Sequence, residues 1–139
     1  MELLALTIAG IFFWLGALHF YWAMGFTRGL AEAVPVKPSG EKIMNPSPTA
    51  CVVMGLALWS MAIVQGMHAG WWLDRFSGFA KWGTLAIAIV FLMRVVGDFK
   101  WVGWWKKITN TPFAKNDTRY YVPLCLFISA SSFALFFYR

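Results

Sequence analysis

Four long apolar stretches leave a chain of 139 residues few ways to fold. They run over about Leu3–Met24, Thr49–Trp72, Phe79–Asp98 and Tyr120–Tyr138. Each is close to the roughly 20 helical residues that cross about 30 Å of hydrocarbon. None alternates polar with apolar residues, which argues for helices over barrel strands. Only 13% of the residues are charged, against about 25% in soluble domains, and the mean hydropathy is +0.61. A soluble core of this size could not hide so much apolar surface. The sequence therefore predicts an all-α integral membrane protein, a four-transmembrane-helix bundle forming one domain over residues 1–139. The first stretch lacks the basic leader and small-x-small site of a cleaved signal and is read as a span.

Basic residues near the span ends set the expected orientation. Arg28, Lys37, Lys42, Lys100, Lys106, Lys107, Lys115 and Arg119 fall on the side of the two long loops, and Arg75, Lys81 and Arg139 on the other. Eight against three places both long loops in the cytoplasm and both termini outside. The net charge of +6 then faces the cytoplasmic leaflet, where each basic residue gains about 1 kcal/mol from anionic headgroups. Nucleic acid is a poor partner for charges that frame membrane spans. Cys51 and Cys125 lie just inside span ends on the reducing side, so they read as packing residues, not a disulfide or metal site.

Small residues recur every fourth position at Ala62, Gly66 and Gly70, a pattern that lets membrane helices approach closely. It fits either packing within the bundle or a docking face for another membrane protein. The first long loop, "FTRGLAEAVPVKPSGEKIMNPSP", carries Pro35, Pro38, Pro46 and Pro48 with Gly29 and Gly40. It is long for a connector, and reads as a linker or a lid. In the second, Trp101, Trp104, Trp105 and Ile108 fall at i, i+3, i+4 and i+7. That spacing predicts a short amphipathic helix in the cytoplasmic interface, with rings toward the acyl boundary, Lys100 and Lys107 away from the stripe toward phosphates, and Lys106 beside them at the interface.

Ionisable groups at membrane depth cost at least about 2.5 kcal/mol each and mark function or a fixed structure. His19 and His68 come from opposite ends of their spans, offset by about 20 Å at 1.5 Å per residue, so they cannot share a haem. Lacking nearby carboxylate or thiolate partners, neither suggests a metal site. His68 reads as interfacial beside Trp71 and Trp72, with Gln65 one turn deeper placed to hydrogen-bond across the bundle. Arg94 lies about level with His19, and Asp98 follows it by one turn, within pairing reach. Either Arg94 snorkels and Asp98 marks the span end, or His19, Tyr21, Arg94 and Asp98 form a polar cluster capped by Asn116, Asp117 and Tyr120. Such a cluster could hold a polar or anionic headgroup, and His19 would be its acid/base candidate.

No G-x-S-x-G, H-E-x-x-H or Walker loop is present, which disfavours nucleophilic hydrolysis and leaves catalytic residues unassigned. The stretches "LHFYWAMG", "AVP", "NPSPTA", "RVVGDFKWVGWWKK" and "TPFAKNDTRYYVPLCL" follow in that order. Together they resemble a bacterial family of small four-helix integral membrane proteins classified only as a domain of unknown function. The resemblance rests on His19, Tyr21 and Trp22; on Arg94, Gly97 and Asp98; and on Thr111, Phe113, Ala114, Asp117, Thr118, Tyr121, Pro123 and Leu124. It implies the four-helix topology, supplies no activity, and singles out the same corner of the bundle.

The expected role is a non-catalytic accessory subunit or lipid-binding scaffold of a complex in the bacterial inner membrane, with no cofactor beyond a bound lipid. The alternative is a small enzyme or carrier for a lipidic, isoprenoid or quinone-like molecule, with His19 as acid/base and Arg94 as headgroup anchor. A channel is weaker, because mid-span polar groups are few.

Overall fold

A computed structural model describes residues 1–70 and 77–138. Its six α-helices are α1 (Glu2–Ala23), α2 (Leu30–Ala33), α3 (Pro48–His68), α4 (Ser77–Val96), α5 (Pro112–Asn116) and α6 (Val122–Tyr138). A π-helical turn, Asp117–Tyr121, joins α5 to α6, so the last apolar helix runs without a break over Pro112–Tyr138. Helices α1, α3, α4 and this last helix are each long and apolar enough to cross a membrane. The all-helical four-span expectation is met.

Local chemistry sets the helix ends. Ser47 caps α3, its hydroxyl accepting from the Ala50 N–H at 3.1 Å, and Pro48 occupies the first turn, where its missing N–H costs nothing. α3 stops at Gly70, whose φ of +86° suits the left-handed residue that closes a helix. The second predicted span extended to Trp72; residues 71 and 72 lie outside those described.

α1 packs along α3, α4 packs along α6, and the two pairs meet through α3 and α4. Ala5, Ile8, Phe12, Leu58, Ile87, Ile128 and Leu135 fill the shared core. Leu3, Trp14, Val53, Leu56, Trp82, Val90, Met93 and Phe137 face outward, as hydrocarbon allows and water would not. Fully buried Gln65, Thr84, Ser129 and Ser132 point inward instead. Gln65 donates to the Ser132 hydroxyl at 3.4 Å and Ser129 donates to the Ala88 carbonyl at 2.8 Å, so these helices are joined partly by polar contacts. Gln65 does reach across the bundle.

The tightest α1–α3 approach is at Gly16 and Gly55, away from the expected stripe. A Cβ on Gly16 would collide with the Trp59 ring, and one on Gly55 would crowd Phe20. Trp59 closes this crossing by donating its Nε1–H to the Phe13 carbonyl at 3.1 Å. Ala62 and Gly66 instead line an apolar groove of about 390 Å³ with Leu6, Ala9, Gly10 and Phe13. Gly70 has left the helix altogether.

Residues 97–111 form an irregular loop, not the amphipathic helix read from the tryptophan spacing. The first long loop holds the one-turn helix α2 and a tight turn in which the Lys37 N–H donates to the Glu41 carbonyl at 2.8 Å. It is a folded segment, and α2 packs on α5.

Candidate functional site

The corner of the bundle beneath the two long loops is organised by one carboxylate. Thr111 starts α5, its hydroxyl accepting from the Ala114 N–H at 3.1 Å, and Pro112 takes the first helical position. The chain then widens into the π turn. Such turns insert a residue and re-aim the side chains that follow. Asp117, at its start, is 0% exposed.

Three donors converge on it. Arg94 Nη2 reaches Oδ1 at 2.7 Å, while the Gly103 N–H at 2.9 Å and Lys106 Nζ at 3.0 Å reach Oδ2. Lys106 also donates to the Gly103 carbonyl at 3.0 Å and to the Thr118 hydroxyl at 2.6 Å, so all three ammonium protons are used. Thr118 passes its own proton to the Ala114 carbonyl at 3.1 Å. The Lys106 side chain is only 2% exposed. A charge sealed to that degree is tolerated because it is paired and fully hydrogen-bonded.

Asp98 has a different task. It does not pair with Arg94. Its Oδ1 accepts from the backbone N–H groups of Lys100, Trp101 and Val102 at 2.9, 2.7 and 2.9 Å. Slight burial pushes the Asp98 carboxyl up, but the hydrogen bonds from Val102, Trp101 and Lys100 outweigh it and hold the pKa below its ordinary value. The loop closes where Gly97, φ +79°, meets Gly103, φ +94°. A Cβ on Gly97 would strike the Val102 carbonyl, and one on Gly103 would lie 2.6 Å from the Gly97 Cα. The Trp104 N–H then returns to the Val95 carbonyl at 2.7 Å. This contact aims the Gly103 N–H at Asp117. The glycines and Asp98 explain why the loop is not the expected helix.

His19 and Tyr21 stand apart from this cluster. His19 Nδ1 donates to the Leu15 carbonyl one turn back at 2.8 Å, and its ring meets Trp22 edge-on with centroids 5.1 Å apart. Tyr21 stacks on Phe26 at 4.6 Å. Neither hydrogen-bonds to Arg94, Asp98 or Asp117 among the described residues. Phe12 and Phe91 touch, with ring centroids 5.3 Å apart, which joins α1 to α4.

Of the residues expected at the interface, Trp104 and Trp105 are exposed and Lys107 is too. Trp101 is partly buried, with Lys100 over its ring at 5.2 Å. Lys106 is the exception: it turns inward to Asp117. Its burial, the Gly103 amide and Thr118 are the parts of the site that residue type did not reveal. From the first loop, the Glu32 carbonyl accepts from the Tyr121 hydroxyl at 3.3 Å, bringing α2 onto the same corner. No group of three His, Cys, Asp or Glu side chains suited to a metal ion occurs among the described residues.

No curated protein and no solved structure matches the chain. A family model does match, over residues 12–132, and it includes Arg94, Gly103, Lys106 and Asp117. The chain therefore belongs to the family described as "Protein of unknown function (DUF3995)".

Proposed function

We propose that the protein is a non-catalytic membrane component, an accessory subunit or lipid-binding scaffold, whose two long loops form a rigid cap on the cytoplasmic side. The observation that supports this reading is the dense hydrogen bonding of Lys106 and Asp117. Lys106 has no spare proton, and Asp117 is buried beneath three donors. Groups held this tightly fix a shape and exchange protons poorly. The basic loops favour the cytoplasmic face of an inner membrane, with anionic headgroups as their nearest partners.

Native mass spectrometry of the protein extracted from its own membranes at natural abundance tests this reading. Other chains bound to the 15.7 kDa chain are the expected result. Only bare chain, free of both partner chains and lipid, would overturn it.

A second reading, a small enzyme or carrier for a lipidic molecule, draws on His19. The Nδ1 bond to Leu15 fixes the neutral tautomer and leaves Nε2 as a base. His19→Gln should then abolish ligand turnover or occupancy while keeping the fold. Full occupancy and phenotype in that variant would remove the reading.

A further inference from the structure

The loop that follows α4 holds a side chain in a conformation that favours glycine. Phe99 has φ +61°, and among the described residues no other side-chain-bearing position has a positive φ. A Cβ makes that conformation rarer by about an order of magnitude, and glycine or asparagine usually takes such places. Asp98 keeps the chain there, its Oδ1 gathering the N–H groups of Lys100, Trp101 and Val102. Among the described residues nothing inside the fold uses the ring so presented. It is 56% exposed, belongs to neither core cluster and meets no other ring.

Its neighbours share that condition. Trp104 and Trp105 are 63% and 61% exposed. The Gly97–Gly103 contact and the bond from the Trp104 N–H to the Val95 carbonyl make one compact loop, folded back on the last turn of a membrane-spanning helix. The charge is one-sided as well. Lys100 and Lys107 are exposed and enter no ion pair among the described residues, while Asp98, the loop's one carboxylate, is engaged by its own backbone. Exposed rings beside unpaired lysines at a span end complement an anionic lipid surface, which offers apolar depth to the rings and phosphate to the ammonium groups. An acidic protein face would satisfy the lysines but leave the rings at the span end unexplained.

We propose that the 97–107 loop is an anionic-lipid anchor: Phe99, Trp104 and Trp105 seat in the membrane interface, and Lys100 and Lys107 engage lipid phosphates. The same loop supplies the Gly103 N–H and Lys106 to Asp117, so lipid held on its outer side steadies the cap on its inner side. The anchor names the lipid partner of the scaffold reading and rests on it in one respect, that the lipid is held and not turned over.

The test places the full chain in nanodiscs of dioleoyl phosphatidylcholine, or of its mixture with dioleoyl phosphatidylglycerol, and follows hydrogen exchange at the 97–107 amides. Exchange should slow in the anionic discs by about fivefold for each lysine engaged. The difference should vanish in about 1 M salt, where the screening length falls to about 3 Å. Lys100→Gln and Lys107→Gln should each remove a share of it, whereas Lys42→Gln, the same loss of charge on the first long loop, should leave it in place. Phe99→Asn deletes the ring and suits the left-handed backbone, so its loop should lose protection in both kinds of disc, and Phe99→Trp should keep it.

Equal exchange of the wild-type loop in the two kinds of disc overturns the proposal. So does unchanged protection in Phe99→Asn, or a loss in Lys42→Gln matching that in Lys100→Gln and Lys107→Gln. Should Phe99→Asn fail to fold, the comparison of the three lysine variants decides. Partner chains bound to a protein whose loop ignores phosphatidylglycerol would sink the anchor and leave the subunit reading standing. A responsive loop on a chain that is extracted from its own membranes without partner chains would do the reverse.

Discussion

Two polar regions hold this bundle together, and they are built on opposite terms. Between α3, α4 and α6 the side-chain pairs are long, Gln65 to Ser132 at 3.4 Å and Thr84 to His68 at 3.4 Å, and a short bond runs from the Ser129 hydroxyl to the Ala88 carbonyl at 2.8 Å. Under the long loops the side-chain pairs are charged and tight, with Arg94 at 2.7 Å and Lys106 at 3.0 Å from Asp117. A neutral pair can be replaced by apolar side chains at little cost. A buried carboxylate facing two cations cannot lose a member without stranding the others. The comparison separates a layer that fine-tunes packing from a corner that decides whether two loops and two helix ends form one cap.

Asp117→Asn should therefore have the largest effect. It leaves Lys106 sealed and unbalanced, at a cost of about 3–5 kcal/mol. Unfolding in detergent followed by circular dichroism measures it, and a loss below about 1 kcal/mol would erase the contrast between the regions. Adding Lys106→Met to Asp117→Asn should recover part of the loss, since removing a stranded charge costs less than keeping it.

Gly103→Ala comes next. Its φ of +94° disfavours any side chain by about 1–2 kcal/mol, and the new Cβ would press on Gly97. The expected outcome is a loss of about 2 kcal/mol or more, strain plus a displaced Asp117 donor. Hydrogen exchange at Gly103 provides the local readout, because the freed N–H should exchange faster than in the wild type.

Asp98 tests the cap through pH. Its carboxyl titrates lower in the folded protein than unfolded, because three backbone N–H groups bind the ionised form. Its stabilisation should thus be complete above the unfolded value of about 4 and fade as pH falls through the lower folded value. Asp98→Ala should cost about 1 kcal/mol at neutral pH, as for other carboxylates that cap backbone N–H groups. The gap between variant and wild type should close on acidification. A gap that widens below pH 4 would contradict the assignment.

The reach of sequence reasoning follows the same division. The four spans were legible because hydrophobic length is a one-dimensional property. Arg94 and Asp117 were legible as polar groups at a span end, but their pairing was not. Asp98, one turn from Arg94, is the local choice. What joins Arg94 to Asp117 is a π turn and a Gly97–Gly103 contact, and neither leaves a periodic trace. Lys106 and Lys107 are chemically identical neighbours, and only the loop path decides which one is buried. The tryptophan spacing matched a helix, yet two positive-φ glycines and the Asp98 bonds favour a closed loop. Small residues are frequent enough that Ala62 and Gly66 drew attention, while the close crossing fell at Gly16 and Gly55.

The smallest expected effect belongs to Gln65. Its side chain is wholly buried, yet one hydrogen bond is long and its Oε1 has no partner among the described residues. Hydrogen bonds between membrane helices average about 0.6 kcal/mol, and burying an unpaired amide oxygen offsets part of even that. Gln65→Met, similar in volume, should shift stability by less than about 1 kcal/mol in either direction. Unfolding of this variant beside Asp117→Asn puts both regions on one scale. A loss matching that of Asp117→Asn would mean that the interior layer holds a partner for Oε1, such as a buried water, and belongs with the charged corner. A near-neutral result leaves the Asp117 corner as the polar contact on which the cap depends.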